Sequence, residues 1–330
     1  MEAIGGDSGR HVIVSFPEPF PDDDVLYFLQ ENRIGGIILF AEHCRDPEGL
    51  KSWLADFTAS LPYELLVAVD QEGGRVRRLA TRFPDLEAPR HYGSGKRLHR
   101  YQDDLARVCE RLREIGFNLN LVPTVDLFDQ EEGHVLDSRT FSDDPEVVGP
   151  FARVAIATHK AHGLLSCAKH FPGLGRSKGD PHQVLSVADL TEDQFFATEL
   201  PPFRDAIRAG VDLVMVTHLS APKVDSAPAV VSERMISVWL KEKMGFAGPV
   251  ITDDLQMAGA LGATDLPNLA VQSFTAGADL LLFGRDLEAT RRALDVFSEH
   301  WAAGRFGSHR IADARSRVDI ICRKIAAARS

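Results

Sequence analysis

Leu65-Leu66-Val67-Ala68-Val69-Asp70-Gln71-Glu72-Gly73-Gly74-Arg75 decides the fold. Its first five residues are apolar without alternation, the pattern of a strand buried on both faces of a parallel sheet. The chain then changes at once to acids, glycines and a cation. Seven further apolar, β-branched runs behave similarly, at 11–16, 34–40, 119–125, 165–169, 213–217, 249–252 and 280–283. Segments of helical spacing lie between them. Eight strand–helix alternations predict an α/β fold, a (β/α)8 TIM barrel formed by one domain over 1–330. A doubly wound open sheet is the alternative. The barrel is favoured because polar residues end so many runs and no Gly-rich dinucleotide fingerprint follows the first. No linker, low-complexity tract or short-period repeat interrupts the pattern.

The helical segments carry start and stop signals. Asp22-Asp23-Asp24 precede Val25, Leu26, Phe28 and Leu29, placing acids at a helix start and apolar residues on one face. Thr191-Glu192-Asp193-Gln194 matches a capping box, after which Phe196, Leu200, Phe203 and Ile207 are expected to line one side. Pro201-Pro202 should split that helix in two. Ser232 is placed to cap a helix over 233–244 that Gly245 ends. Further helices are expected at 101–115, 145–162, 287–301 and 311–327.

Composition narrows the function. The chain has 330 residues, 44% hydrophobic and 26% charged, with a formal charge of −11. Such a balance argues against nucleic acid or an anionic membrane as the main partner. No apolar stretch approaches the length of a membrane span, and the N-terminus lacks the basic and apolar regions of a secretory signal. The four cysteines, Cys44, Cys109, Cys167 and Cys322, are far apart and read as free thiols in a reducing compartment. A cytoplasmic protein is the expectation.

In a barrel all C-terminal strand ends share one mouth. That geometry predicts that Asp70, Lys169, His170, His218 and Asp253 meet. Asp253, at the end of Val250-Ile251-Thr252, reads as a carboxylate nucleophile or as the N-cap of a helix begun by Leu255 and Met257. Asp254 is the more natural cap, which frees Asp253. Lys169 and His170 close an apolar run, where an ammonium is costly unless it meets acids or a ligand. Asp180-Pro181-His182 reads as a dyad for proton exchange or as an unremarkable exposed pair. Asp70 is suited to two vicinal hydroxyls, or to a salt-bridged turn. Arg139 could fork onto a ligand oxygen or pair with an acid. His218 points to the same mouth, although a lone His there is more often structural. The H-x-H pair of amidohydrolase-type metal barrels is missing from the first run, and Gly284-Arg285-Asp286 is a poor phosphate loop. No metal and no cofactor are expected.

These segments together resemble glycoside hydrolase family 3, in particular its short single-domain β-N-acetylglucosaminidases of the peptidoglycan-recycling type. The resemblance rests on Phe40 after Gly35-Gly36-Ile37-Ile38-Leu39, on 68–76, on Lys169-His170-Phe171-Pro172-Gly173, on Asp180-x-His182 and on Thr252-Asp253-Asp254-Leu255-x-Met257. It runs in order over roughly the whole chain. It implies a TIM barrel in which Asp253 is the nucleophile, His182 the acid/base and Asp180 its dyad partner. Asp70, Arg139, Lys169 and His170 would hold the sugar, with Arg75 and His218 beside them. The implied reaction is retaining, exo-acting removal of terminal β-linked GlcNAc from a muropeptide fragment or chitooligosaccharide. Most retaining glycosidases use two carboxylates; an imidazole in place of one makes the pH optimum follow a His. Phosphorolysis, β-glucosidase activity and weakly catalytic saccharide binding are the alternatives. The chain departs from the family at Leu174, Pro181 and Ser186, where His, Ser or Thr, and Pro are usual. These changes bear on rate and aglycone preference more than on reaction class.

Overall fold

All eight runs form parallel strands: β1 (Val12–Val14), β2 (Gly36–Leu39), β3 (Leu66–Val69), β4 (Leu119–Asn120), β5 (Leu165–Phe171), β7 (Leu213–Val216), β9 (Val250–Thr252) and β10 (Leu281–Phe283). The computed structural model describes residues 7–17, 20–79, 83–128, 134–177, 186–257 and 264–329. Two short strands not expected from sequence, β6 (Ser186–Val187) and β8 (Leu219–Ser220), pair separately beside the mouth. The sheet runs β10-β1-β2-β3-β4-β5-β7-β9. A parallel bridge between Ile251 and Leu280, with Thr252 N–H donating to Leu280 O at 3.0 Å, joins its two ends. Closure removes both edges, so the fold is a barrel and not an open doubly wound sheet.

The run 119–125 yields only two strand residues. Pro123 lacks a donor for the ladder, and asparagine side chains take over part of the pairing. Asn118 Oδ1 accepts from Val67 N–H at 2.8 Å, while Nδ2 donates to Leu65 O at 2.7 Å. Alternate strand residues such as Ile13, Leu66, Leu119, Leu213 and Ile251 point inward and form a dry barrel core. Helix Ser308–Arg329 presses Val318, Ile321 and Ile325 onto that core. Its ion pairs Asp319–Arg10, Lys324–Asp212 and Arg310–Asp279 all reach residues that precede strands. The helix therefore seals the N-terminal end of the barrel and leaves the C-terminal end open.

The cap signals were legible, with two corrections. Asp22 caps helix Asp23–Glu31, and Thr191 with Gln194 forms the full capping box of helix Glu192–Ala197. Pro201–Arg208 is a separate helix, as the prolines require. The break at Thr198 resets the helical phase, so Phe195 rather than Phe196 is the fully buried ring of the first piece. Ser232 Oγ accepts from Met235 N–H at 3.1 Å, but the helix it caps, Arg234–Lys243, is wound with wider π turns. Gly245 leaves it at φ +70°, a conformation that favours glycine. Among the described residues no helix is long and apolar enough to cross a membrane.

Candidate active site

The open end of the barrel holds a cavity of about 750 Å³ whose walls include Asp70, Glu72, Arg139, Lys169, His170 and Asp253. Such a volume suits a whole small-molecule ligand. Strands β3, β5 and β9 deliver all of these except Arg139, which comes from the connection between β4 and the helix Pro145–Ala161, because polar residues begin where each strand leaves the apolar barrel.

Lys169 is 2% exposed, and its Nζ lies 2.6 Å from both Asp70 and Glu72. Arg139 forks onto Glu72 through Nε and Nη2, both at 2.8 Å. Arg78 reaches the other oxygen of Asp70 at 3.3 Å. Two carboxylates and three cations thus form one network, buried at Lys169, Glu72 and Arg139 and half-buried at Asp70 and Arg78. Burial alone would raise the carboxyl pKa values, but Arg139 and Lys169 overcome it at Glu72, and Lys169 and Arg78 at Asp70, so both stay below the ordinary carboxylate range. Burial works against the charge of Lys169 too, and Asp70 and Glu72 reverse that effect, raising its pKa.

The expected ligand fork of Arg139 is therefore occupied by an acid: a guanidinium buried this deeply needs a counter-charge. Arg75 also lines the cavity. It is exposed and donates to the backbone carbonyls of His134, Val135 and Asp137, bracing the turn that precedes Arg139.

Asp253 opens partly onto the cavity. Its Oδ2 accepts from Thr217 Oγ1 at 3.0 Å and its Oδ1 from Asp254 N–H at 2.9 Å. Burial pushes this carboxyl up, but the fields of His170 and His218 and those two hydrogen bonds together lower it below the usual range. It is therefore an ionised, pre-aimed carboxylate. Asp254 is not a helix cap. Its Oδ1 accepts from Gln256 N–H and Gly284 N–H at 2.9 and 2.8 Å, fastening the end of β9 to the end of β10. Among the described residues no helix begins at Asp254, and the first helix described after it, Leu266–Ala276, is capped by Asp265. His218 is fully buried, with Nε2 2.9 Å from Asp254 O, so it braces the Asp253–Asp254 corner from behind.

His170 faces the cavity, and Asp126 holds it: Oδ2 lies 2.7 Å from Nδ1 and accepts from His170 N–H, while Oδ1 accepts from Leu174 N–H. Asp126 keeps Nδ1 protonated, which leaves Nε2 facing Arg139 Nη2 at 3.4 Å. Leu174, one of the departures from the family pattern, is buried and borders the cavity. Asp180, Pro181 and His182 lie outside the described residues. Reasoning from sequence missed Glu72, Asp126 and Arg78. Asp126 had a visible signal, since it ends an apolar run as Asp70 and Asp253 do.

A further carboxyl lies beside Gly173. Glu199 is 1% exposed, and an added Cβ at Gly173 would meet its side chain at 2.9 Å. Burial raises its pKa from 4.5 to about 7, against the pull of Arg176 at 3.0 Å, with Asp126 adding repulsion. A raised carboxyl stabilises the fold fully below the unfolded value, and that stability is lost as pH rises through about 7. Glu199→Gln should accordingly leave thermal stability near wild type at acidic pH. At pH 8 it should stabilise by on the order of 3 kcal/mol. Thermal melts at both pH values check this, and equal shifts at both would refute it. Among the described residues no group of three or more His, Cys, Asp or Glu side chains could hold a metal ion.

Residues 14–321 match the family described as the glycosyl hydrolase family 3 N-terminal domain. A β-hexosaminidase of Neisseria gonorrhoeae (strain NCCP11945) is 37% identical over 264 residues, covering 77% of this chain and 72% of that protein. One of Methylobacillus flagellatus is 33% identical over 260 residues, covering 77% and 74%. The barrel superposes with a TM-score of 0.94 on a glycoside hydrolase family 3 β-N-acetylglucosaminidase from Paenibacillus sp. str. FPU-7, at 28% identity over 98% of this chain. It spans 62% of that longer protein. NagZ from Neisseria gonorrhoeae, solved with N-trifluoroacetyl-D-glucosamine, matches with a TM-score of 0.79 and 28% identity, covering 94% of this chain and 97% of NagZ.

Proposed function

The chain belongs to glycosyl hydrolase family 3, and from that premise we propose that it is a retaining, exo-acting β-N-acetylglucosaminidase. It removes a terminal β-linked GlcNAc from a small saccharide, a muropeptide fragment or a chitooligosaccharide. The observation that carries this reading is the Asp253 carboxylate, held by Thr217 and Asp254 N–H, in the same cavity that the Lys169 network lines. The β-hexosaminidase and β-N-acetylglucosaminidase relatives, and the NagZ that holds N-trifluoroacetyl-D-glucosamine, supply the sugar.

In this mechanism Asp253 attacks the anomeric carbon and forms a glycosyl-enzyme. Low basicity suits a group that must later leave. His182, oriented by Asp180, protonates the departing oxygen and then deprotonates the incoming water. Asp70, Lys169 and His170 present hydrogen-bonding atoms to the sugar hydroxyls. Arg139 supports them by fixing Glu72. Because the network is already ionised and paired, it binds without reorganising, which spends little of the binding free energy.

Parallel assays with the nitrophenyl β-glycosides of N-acetylglucosamine and glucose test the reading. The expected result is a preference for the N-acetylglucosaminide of at least about a hundredfold in kcat/KM, the scale that an unmatched buried polar group supports. A preference for the glucoside would reject it. Following the anomeric proton by NMR should show the β-anomer released first, as retention requires.

A further inference from the structure

The strand end that carries Asp70 is held from outside the barrel by an imidazole. His159 lies in the last turn of helix Pro145–Ala161 and is fully buried. Its Nδ1 is 2.8 Å from Ala155 O. A carbonyl only accepts, so Nδ1 carries the hydrogen and Nε2 of the neutral ring is an acceptor. That Nε2 lies 3.0 Å from Asn120 Nδ2. The ring therefore dictates which end of the Asn120 amide is NH2.

Asn120 passes that orientation on. Its Oδ1 accepts from Gln71 N–H at 3.0 Å, and its Nδ2 also approaches Gln71 O at 3.3 Å. The backbone ladder between β3 and β4 ends at Val69 opposite Asn120. Beyond that rung the side-chain amide pairs with the Gln71 peptide group as a further strand residue would. The Gln71 side chain is committed too, with Oε1 accepting from Arg78 N–H at 2.8 Å and Leu79 N–H at 3.1 Å. The residue between Asp70 and Glu72 is fixed on every polar atom, its Nε2 donating to Leu79 O at 3.0 Å.

We propose that His159 and Asn120 are positioning residues for sugar recognition, an imidazole–amide relay that aims Asp70 and Glu72 into the cavity. The proposal rests on the reading of that cavity as a sugar site. Burial, opposed by the Ala155 carbonyl and Asp212 and aided by His162, lowers the His159 pKa to about 4 and keeps the ring a neutral acceptor. A protonated ring would offer N–H to both neighbours. Asn120 would then have to turn its oxygen toward the ring and its NH2 toward Gln71 N–H, where two donors would face each other.

The test compares wild type with His159→Gln, His159→Leu and Asn120→Ser on nitrophenyl N-acetyl-β-glucosaminide, below the melting temperature of each. The oxygen of a glutamine amide can replace Nε2 as acceptor; leucine cannot, and serine is too short to reach Gln71. His159→Gln should keep kcat/KM within about threefold. The other two should lose about tenfold or more, chiefly through a higher KM with kcat less affected. A merely structural role would lower the melting temperature without separating Gln from Leu in KM. Equal kcat/KM in all four folded proteins, or equal losses in the Gln and Leu variants, would overturn the relay. Should His159→Leu fail to fold, the Gln and Ser variants carry the same comparison. A wild type that neither cleaves the glycoside nor binds N-acetylglucosamine by calorimetry would instead count against the functional reading.

Discussion

Asp253→Asn should reduce turnover of the N-acetylglucosaminide by on the order of 10⁴–10⁶-fold, the scale seen when a covalent nucleophile is removed. The amide is isosteric: its oxygen can still accept from Asp254 N–H while its NH2 donates to the Thr217 hydroxyl. It has no negative charge with which to attack the anomeric carbon or to balance the oxocarbenium-like transition state. Binding should survive, since Asp70, Lys169 and His170 stand on other strands. The lost rate should therefore appear in kcat, with N-acetylglucosamine affinity within a few fold of wild type. A sharper form uses Asp253→Ala with excess azide. The small anion enters the space left by the carboxylate, and the product should be the α-glycosyl azide. Turnover of a folded Asp253→Asn protein within tenfold of wild type would remove this carboxylate from the chemistry.

The second large effect falls on stability and binding together. Lys169→Met should destabilise the protein by about 3–5 kcal/mol, because it removes a buried cation and leaves the buried Glu72 and the half-buried Asp70 carboxylates facing one another. Both lie 2.6 Å from Nζ in the wild type. Arg78 and Arg139 remain, but each already serves one carboxylate. Asp70 should then take up a proton at higher pH, because the strongest influence lowering its pKa is gone. Urea denaturation at pH 7 measures the loss, and KM should rise because the sugar-side carboxylate is no longer reliably ionised. A loss below 1 kcal/mol would mean that solvent reaches Lys169 and that the network is not buried. Lys169→Arg is not expected to rescue, since a planar fork cannot place one cation equally on two acids that converge on a point charge.

Much of the fold was legible because barrel strands announce themselves twice. Their interior is continuously apolar, and their ends turn polar where the barrel opens. The run at 119–125 was overestimated because hydropathy does not register that Pro123 breaks the ladder or that the Asn118 side chain replaces part of it. Phe196 packs against the core only partly buried, and the fully buried Phe195 went unnoticed, because a helix broken at Thr198 does not keep one phase. At the site, the gathering of Asp70, Lys169, His170 and Asp253 followed from strand ends alone. What each one touches did not. Arg139 read equally well as a ligand fork or an ion-pair partner, and only the approach of Glu72, 67 residues away, decides between them. Glu199 carried no signal, since its raised pKa comes from burial beside Gly173, distant in sequence.

By itself, then, the order of residues determined the alternation of strands and helices, the caps, and which polar groups stand at strand termini, all properties of neighbours along the chain. Only the closed barrel decided which carboxylates are neutralised, which remain ionised and open to a ligand, and which imidazole must stay neutral. Those outcomes depend on desolvation and on charges a few ångströms away through space, and neither quantity exists until the distant segments have packed.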